Sequence, residues 1–383
     1  MEERLIECLK IAMEFHVTDI HFHLKTYPKE SLSIEMKIEQ DVKQMVPKED
    51  DIRLFRYLMY KANLDLSDIH HPQTGRFEME IDGQPVSLRF ALVSSYHNTS
   101  GVLRILNQHS PLHIEDLTVD YDTSIWLRNI TKHTSGLFIF SGPTGSGKTT
   151  TLYTILNETK GKKIFTLEDP VEVRISGINQ ININSALGLD FATGLRAMLR
   201  QDFEVGLVGE MRDRETANIA LRAGITGHLI FTTLHTADTV STIIRLLNLG
   251  IENYVISSGV IAILSQRLVR KLCPKCKIKR DLTNFEKEIF KKNNLETPEY
   301  IYEKCGCEHC NRGYIGRTLI LESLILDDEI KEIINGNCNS VRLYEYFKKN
   351  GNESLYKNGL RKIADGITSF EEVNKILFSL GEF

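Results

Sequence analysis

The sequence predicts an α/β protein in which helices cover a mainly parallel sheet, with a smaller α+β unit before it and a mostly helical tail after it. Three observations predict this class. Apolar stretches alternate with helical patterns after about residue 120, the turn signal Asp82-Gly83 joins two alternating stretches, and a glycine-rich loop at 142–147 joins an apolar stretch to a helical one. Strands that alternate with helices are typical of parallel pairing, whereas a tight hairpin is typical of antiparallel pairing.

The patterns within the first 106 residues predict the α+β unit. The starting helix has an apolar face formed by Leu5, Cys8, Leu9 and Met13. A second helix is expected at 51–63, and strands or extended segments are expected at 18–24, 31–38, 76–81, 86–93 and 102–106. Ser110-Pro111 then interrupts the regular pattern, so we expect a linker at 107–119.

Residues 120–383 predict the larger domain, which carries the parallel sheet. Its strands are expected at 137–141, 163–167, 205–209 and 229–233, and its helices at 149–157, 191–200 and 214–223. A cysteine-containing insert is expected at about 271–318. A helical tail, with leucine, isoleucine and phenylalanine at helical spacing, is expected at about 319–383.

Composition and charge exclude several classes of function. Apolar residues make up 42% of the 383 residues and charged residues 26%, which is typical of a globular protein with buried cores. The formal net charge is −4, so we expect no overall attraction to anionic lipid and no direct nucleic-acid binding. The N-terminus is charged, and the longest apolar stretch, at 255–264, is shorter than a membrane span, so neither a signal peptide nor a transmembrane helix is expected.

The glycine-rich loop predicts a site for nucleotide phosphates. It follows an apolar strand and opens a helix, as in P-loop proteins, where backbone N–H groups and the helix N-terminus attract phosphate oxygens. We expect Lys148 to reach the β- and γ-phosphates of ATP and Thr149 to place its hydroxyl on Mg²⁺. The expected ATP-binding residues are Gly142, Pro143, Thr144, Gly145, Ser146, Gly147, Lys148, Thr149 and Thr150. The alternative is an ordinary glycine-rich turn before a helix.

Two acidic residues qualify as the carboxylate that such a site needs to hold metal-bound water or to orient the attacking water. Glu210 follows one apolar stretch and Glu168 ends another, and carboxylates at the carboxyl ends of parallel strands point into the ligand crevice. His228 and His235 flank a third apolar stretch, and histidine changes charge near neutral pH. Taken alone, the acids also fit solvated loops, and the histidines also fit the surface ends of a strand.

Five of the seven cysteines lie between positions 273 and 310, which indicates a metal site in a reducing compartment and favours the cytoplasm. Two C-x-x-C pairs predict a closed, structural zinc site of four thiolates. The expected ligands are Cys273, Cys276, Cys307 and Cys310. Cys305 is an alternative to Cys307, and His309 is a further candidate ligand. A redox pair is the competing interpretation.

Four motifs occur in a fixed order: the P-loop at 142–149, an acidic box at 166–172, a strand-end segment at 208–213 and a histidine box at 227–238. In this order they resemble the type II/IV secretion-system motor ATPase superfamily, which powers type II secretion, type IV pili and competence pseudopili. The resemblance runs from about residue 18 to about residue 372. It implies a RecA-like P-loop ATPase domain with a small PAS-like N-terminal domain.

The resemblance also implies roles for the acidic and histidine residues. Glu210 matches the family's catalytic glutamate, and Glu168 matches the glutamate that helps to activate water or bind metal. His228 and His235 match the residues that couple nucleotide state to movement.

In the smaller domain, Arg89 and Arg104 match paired arginines that reach the nucleotide phosphates, where positive charge offsets the charge of the transition state. The alternative is a pair of surface arginines at strand edges. Two segments depart from the family's pattern. Positions 202–204 read Asp-Phe-Glu where the family usually has Asp-Pro-Asp, and positions 100–101 read Ser-Gly where Gly-Glu is frequent.

The resemblance further implies a homo-hexamer that works with a polytopic inner-membrane platform protein at the cytoplasmic face of the membrane. The cysteine insert is typical of assembly and secretion motors, and the expected lack of a long extra N-terminal domain favours the compact competence type. The sequence therefore predicts an ATP-hydrolysing motor for assembly of a pilus-like, competence-pseudopilus or type II secretion filament. A retraction motor, a RecA-like nucleic-acid translocase and a nucleotide-binding scaffold without hydrolysis are the alternatives.

Overall fold

In the computed structural model the chain divides into two units, Met1–Ser110 with Glu172–Arg174, and Pro111–Val171 with Ile175–Phe383. The structure describes residues 1–15, 17, 19–25, 29–38, 41–48, 51–68, 70–96, 98–106, 113–159, 161–184 and 187–380. Thr18 of the first expected strand, positions 107–112 of the expected linker and positions 381–383 of the tail lie outside the described residues.

The first unit is built on one antiparallel sheet. Its elements are α1 (Glu2–Glu14), β1 (Asp19–Lys25), β2 (Ser31–Ile38), β3 (Asp41–Gln44), α2 (Asp51–Lys61), β4 (Gln73–Ile81), β5 (Gln84–Ser94) and β6 (Asn98–Ile105). The strand order is β3-β2-β1-β6-β5-β4, with antiparallel neighbours throughout. The expected hairpin is confirmed, because Asp82 and Gly83 take φ values of 51° and 79° between the paired residues Ile81 and Gln84.

Alternating burial along the strands creates the core of the first unit. Every second residue of β6 is buried, as expected for a sheet with one covered face. The ring of Phe90 contacts Phe22 and Phe55 edge-on, with centroids 6.1 Å and 5.5 Å apart. Phe55 belongs to α2, so this aromatic cluster joins the helix to the sheet.

The second unit contains nine strands and twelve helices in the part of the chain that the structure describes. The strands are β7 (Gly136–Ser141), β8 (Ile164–Glu168), β9 (Asn179–Asn182), β10 (Val205–Val208), β11 (Leu229–Leu234), β12 (Val260–Leu272), β13 (Ile278–Arg280), β14 (Ile301–Glu303) and β15 (Tyr314–Ile325). The helices are α3 (Ile114–Leu117), α4 (Tyr121–Ile130), α5 (Lys148–Glu158), α6 (Phe191–Met198), α7 (Arg214–Ile225), α8 (Thr239–Asn248), α9 (Asn253–Gly259), α10 (Asn284–Lys292), α11 (Asp328–Asn335), α12 (Ser340–Lys349), α13 (Leu355–Ala364) and α14 (Phe370–Leu380).

The main sheet of the second unit has the order β15-β12-β7-β11-β10-β8-β9. All neighbours are parallel except β15, which runs antiparallel to β12 at one edge. Strands β7, β10 and β11 are buried along their whole length, as in sheets with both faces covered. The expected α/β class with a mainly parallel sheet is therefore confirmed.

The expected helical tail at 319–383 is wrong at its start. Residues 319–325 belong to β15, where Ile320 pairs with Arg267 and Leu324 pairs with Ile263 of β12. Burial alternates at the end of this strand, where residues 320, 322 and 324 are buried and 321, 323 and 325 are not, which is the period of a strand and not of a helix. Helices take over from α11 onward. Over the residues described, no helix combines the length and the apolar character that crossing a membrane requires.

Candidate nucleotide site and cysteine cluster

A buried strand and a glycine-rich turn place Lys148 at the start of a helix. The chain leaves β7 at Gly142, which has a φ of 143°, and an added Cβ there would lie 2.6 Å from Ser146 Oγ. Gly147, with a φ of 88°, precedes the first residue of α5. The exposed loop residues are Pro143, Thr144 and Gly145. The loop is therefore packed on its inner side and open on its outer side.

The Lys148 side chain is folded back onto the loop. Its Nζ donates to the carbonyl oxygens of Gly142 at 2.7 Å and Pro143 at 3.0 Å, and only 8% of the residue is exposed. Burial, and after it the charge of Arg267, lowers the pKa of Lys148 to about 8, whereas the Glu210 carboxylate acts in the opposite direction. Both acceptors are neutral carbonyl groups, so an anionic phosphate would be a stronger partner for the ammonium.

The parallel register brings the ends of four strands to one edge of the sheet. Ser141 pairs with Leu234, and Val208 pairs with both Thr232 and Leu167. Ligands bind at the carboxyl ends of the strands in open α/β sheets. The candidate side chains that follow or end β7, β11, β10 and β8 at this edge are Lys148, His235, Glu210 and Glu168.

Glu210 and His235 lie next to each other at this edge. Glu210 is 16% exposed, forms an ion pair with Arg212, and has its Oε2 3.8 Å from His235 Nε2. Burial, followed by the charge of Lys148, lowers the pKa of His235, while Glu210 raises it. These effects together favour the neutral form of His235. A partly accessible carboxylate beside a neutral imidazole is able to accept a hydrogen bond from an attacking water.

Glu168 is buried more deeply than Glu210, with 4% of the residue exposed. Its carboxylate accepts hydrogen bonds from the Tyr153 hydroxyl, from Thr166 Oγ1 at 2.6 Å and from Gln180 Nε2 at 3.3 Å. These donors come from α5, β8 and β9, so three elements fix the direction of one carboxylate. No sequence pattern indicated Tyr153 or Gln180, because hydrogen-bond partners on separate elements depend on packing.

The structure does not bring His228 together with the other site residues. His228 precedes β11, whereas His235 follows it, and a strand of six residues spans about 20 Å. The His228 ring packs against Phe203 with centroids 4.7 Å apart, and its Nδ1 lies 3.3 Å from the Ala223 carbonyl oxygen. Any coupling role of His228 would therefore act through β11 and not through contact with the phosphate loop.

In the first unit, Arg89 and Arg104 face each other across β5 and β6. Arg76 of β4 pairs with Arg89 on the other side, so three arginines form one row across three strands. Arg104 Nε donates to Asp19 Oδ1 at 2.6 Å. Like charges that lie directly opposite each other destabilise a sheet, and the carboxylates of Asp19 and Glu172 offset part of this repulsion. The sequence analysis did not select Arg76, although the register of the hairpin at Asp82-Gly83 pairs it with Arg89.

The two C-x-x-C pairs converge into a single cluster. The sulfur atoms of Cys273, Cys276, Cys307 and Cys310 all lie within 4.8 Å of one another. Cys273 Sγ is 3.9 Å from Cys307 Sγ, and Cys276 Sγ is 3.6 Å from Cys310 Sγ. Four sulfurs bound tetrahedrally to Zn²⁺ at 2.3 Å would lie about 3.8 Å apart, so the cluster has the size of a zinc site.

The geometry separates the alternative ligands from the cluster. Cys305 is exposed, and His309, whose side chain is 51% exposed, lies beside Glu308. Neither residue belongs to the group of converging ligand atoms found among the described residues. Cys307 is therefore the fourth thiol of the cluster, which the sequence alone did not decide.

Comparison with known proteins identifies the family. A family model described as type II/IV secretion system protein matches residues 1–375. The chain belongs to this family. It is 37% identical over 371 residues to the type II secretion system ATPase E of Vibrio cholerae, an alignment that covers 95% of this chain and 73% of that protein. It is 34% identical over 377 residues to the type IV pilus assembly ATPase TfpB of Acinetobacter baylyi, which covers 96% of this chain and 64% of that protein.

Solved structures agree with this family's fold. The pilus retraction motor PilT with bound ADP superposes with a TM-score of 0.67 at 24% identity, covering 97% of this chain and 96% of PilT. The ATPase DotB of Legionella pneumophila superposes with a TM-score of 0.69 at 19% identity, covering 97% of this chain and 94% of DotB. The expected superfamily is confirmed, and the protein is a type II/IV secretion-family ATPase.

Two site residues of this family ATPase went unnoticed in the sequence. Gln266 Nε2 donates to the Ser146 carbonyl oxygen at 2.9 Å, and Arg267 Nη2 donates to the Ala237 carbonyl oxygen at 2.8 Å. Both residues lie on β12, which was not expected as a strand. The available signal was the polar segment Ser265-Gln266-Arg267 directly after the apolar run at 260–264.

Proposed function

We propose that this ATPase is a hexameric motor that powers assembly of a type IV pilus-like filament, a competence pseudopilus or a type II secretion filament. The observation that carries the proposal is the alignment of Lys148, His235, Glu210 and Glu168 at one edge of the parallel sheet. Relatives named as secretion and pilus assembly ATPases support the choice of filament. The retraction motor PilT shares the fold at lower identity.

In this proposal the phosphates of ATP lie on the loop at 142–147, with Lys148 exchanging its two carbonyl acceptors for phosphate oxygens. Glu210 orients the attacking water, and Glu168 supports it as the second carboxylate. His235 lies between Glu210 and the loop and couples nucleotide state to movement, with His228 acting at the far end of the same strand. Arg89 and Arg104 offset the negative charge of the transition state.

The residues present fit both expected metal ions. Mg²⁺ prefers oxygen ligands, which the Thr149 hydroxyl would supply directly and the carboxylates of Glu168 and Glu210 would supply directly or through bound water. When bound, Mg²⁺ neutralises phosphate charge. Zn²⁺ would be held by the four clustered thiolates, and it is structural because four protein ligands leave no open position.

The cysteine cluster supports assembly over retraction, because the insert is typical of assembly and secretion motors in the family the sequence resembles. We further propose that the motor works at the cytoplasmic face of the cell membrane on a polytopic platform protein. The first unit, with one antiparallel sheet and two helices in a shared core, supports the description of that domain as PAS-like.

Deletion and complementation in the host cell test the assembly proposal. We expect cells without this chain to lack surface filaments, wild-type protein to restore them and Glu210→Gln to fail. Glu215→Gln, at an exposed position on α7 whose glutamate pairs with Arg196, is the control and should restore filaments. Filaments that persist without the chain but no longer retract would contradict assembly and favour a retraction motor. ATP turnover that rises on addition of DNA would favour the translocase.

A further inference from the structure

A second buried cation lies beneath the phosphate loop. Arg267, on β12 next to β7, is 6% exposed. Its Nη1 lies 3.1 Å from the position that a Cβ on Gly142 would occupy. This close approach depends on the absence of a side chain at Gly142. The guanidinium therefore supports the loop from its inner side, opposite the exposed face of residues 143–145.

The hydrogen bonds of Arg267 leave its charge largely uncompensated. Nη1 donates to the Gln266 carbonyl oxygen at 2.9 Å and Nη2 to that of Ala237 at 2.8 Å, and both acceptors are neutral. Its Nε is buried and has no hydrogen-bond partner within the described part of the chain. Buried polar groups are normally paired, so an unpaired guanidinium nitrogen beside a phosphate loop indicates a role for its charge.

The nearby carboxylates are already engaged elsewhere. Glu322 and Asp238 are the two acids whose charges act on Arg267. Glu322 accepts from Thr239 N at 2.8 Å and Thr239 Oγ1 at 2.7 Å. Asp238 accepts from Ser241 N at 2.6 Å and from the Tyr344 hydroxyl at 2.7 Å. These bonds hold both carboxylates at the N-terminus of α8, so neither is a direct partner of the guanidinium.

Gln266 completes the inner wall of the loop. Its Nε2 donates to the Ser146 carbonyl oxygen at 2.9 Å and to Thr151 Oγ1 at 3.3 Å. Gln266 Oε1 and Ser146 Oγ, like Arg267 Nε, are buried without a partner among the described residues. The consecutive residues Gln266 and Arg267 therefore form a polar support under the loop. Gln266 Oε1 and Arg267 Nε of this support are still able to form hydrogen bonds.

We propose that Arg267 is a positioning residue of the phosphate site, which adds a second positive charge behind Gly142 and thereby strengthens binding of the nucleotide phosphates. The inference rests on the proposed role of residues 142–149 as the ATP site. Two like charges, Lys148 and Arg267, repel each other at this buried position. A polyphosphate on the outer face of the loop relieves that repulsion, so affinity should follow the charge at position 267.

Calorimetric titration of the full chain with MgADP tests this inference. We expect Arg267→Gln, which removes the charge, to weaken binding about tenfold, which corresponds to about 1.4 kcal/mol. Arg267→Lys keeps the charge without the planar fork and should bind within about threefold of wild type. The matched control is Arg270→Gln on the same strand, where the arginine pairs with Glu372 and not with the loop, and it should leave the affinity unchanged.

The outcomes separate the inference from the proposed ATP site. Equal weakening by Arg267→Gln and Arg267→Lys, or weakening by neither, would overturn the inference, and so would an equal effect of Arg270→Gln. If Arg267→Gln does not show a cooperative thermal transition without nucleotide, Arg267→Met replaces it as the variant without the charge: a tenfold loss of affinity with near wild-type binding by Arg267→Lys supports the inference, and equal affinities of the two variants overturn it. Failure of the wild-type chain to bind MgADP would instead reject the phosphate site itself.

Discussion

Lys148 is the side chain on which nucleotide binding should depend most. Its ammonium bonds to two carbonyl oxygens and is mostly buried, so it is held within the loop that would receive the phosphates. We expect Lys148→Ala to weaken MgADP binding by about 100-fold, since charge-assisted hydrogen bonds contribute about 1.5–3 kcal/mol each. Calorimetry measures the change. Lys132→Ala, at an exposed lysine bonded to Asn129, is the control, and equal affinities of the two variants would reject the phosphate site.

Glu210 should affect hydrolysis and not binding. Its carboxylate lies 3.8 Å from His235 at the strand edge, where it is able to orient a water molecule. We expect Glu210→Gln, which keeps the size of the side chain, to reduce kcat about 10²- to 10⁴-fold while MgADP affinity stays within about threefold of wild type. Steady-state phosphate release measures kcat. The Glu215→Gln protein should hydrolyse ATP like wild type, and a Glu210→Gln protein that does the same would remove Glu210 from the reaction.

Motif position predicted some side chains of the site and missed others. Lys148, Glu210 and His235 lie within a few residues of an apolar strand end, so sequence order alone indicated their edge of the sheet. Tyr153 and Arg267 reach the site from a helix interior and from a strand on the other side of β7. Their contacts depend on which elements pack together, and no local pattern in one sequence records that pairing.

The insert between β12 and β15 is the element most dependent on its cysteines. The two C-x-x-C turns supply converging thiols within 4.8 Å of one another, while the rest of the insert consists of one helix and a two-stranded sheet. We expect purified protein to contain about one zinc ion per chain and Cys273→Ser to lose it, because three thiolates bind more weakly than four. Elemental mass spectrometry measures the metal.

Cys305→Ser is the matched control for this measurement, since Cys305 lies in the same segment but is exposed and outside the cluster. It should retain its zinc. Zinc lost from both variants would point to disruption of the whole segment, and no zinc in the wild-type protein would reject the metal site.

The ion pair between Arg270 of β12 and Glu372 of α14 should make the second unit less stable at low pH. Burial raises the pKa of Glu372, but hydrogen bonds from Arg270 and Lys375 outweigh burial and lower the pKa to about 2 from an ordinary 4.5. The bond from Arg270 Nε to Glu372 Oε2 measures 2.9 Å. A carboxyl group whose pKa falls on folding stabilises the folded state fully above its ordinary pKa and loses that effect as the pH drops toward the folded value.

We therefore expect Glu372→Gln to lower the free energy of unfolding by roughly 2 kcal/mol at pH 7. The difference in unfolding free energy from wild type should shrink as the pH falls below about 4.5, because Glu372 of the wild-type protein then becomes protonated and loses its ionic stabilisation. Urea unfolding between pH 7 and pH 3.5 measures it. Glu345→Gln, on the exposed face of α12, should show no such trend, and a difference that stays constant with pH would contradict the ionic origin.

Periodicity predicted the short buried strands but not the long pair at the edge. Strands β7, β8, β10 and β11 were expected within one or two residues, because each is a brief apolar run between helices. Strand β12 follows directly after α9, so its apolar residues read as one continuous stretch without a turn signal. Strand β15 was mistaken for part of the helical tail because leucine and isoleucine favour both structures when their partner strand is unknown.

For the molecule as a whole, the two units carry different parts of the proposed reaction. The second unit holds the phosphate loop and the carboxylates, while the first holds the row of Arg76, Arg89 and Arg104. The short segment Glu172–Arg174, which begins at the last residue of the acidic box, groups with the first unit, and no periodic pattern indicated this.

If the arginine row serves the reaction, its charge should act on the transition state more than on the bound nucleotide. We expect Arg89→Gln to lower kcat at least about 100-fold while MgADP affinity stays within about threefold of wild type, since arginines that offset transferring phosphate charge act on the rate. Arg56→Gln, at an exposed arginine on α2 of the same unit, should leave both values unchanged. Steady-state hydrolysis and calorimetry on the same preparations measure them. Normal turnover by the Arg89→Gln protein would show that Arg89 does not take part in hydrolysis. The residues that hydrolyse ATP would then belong to the second unit.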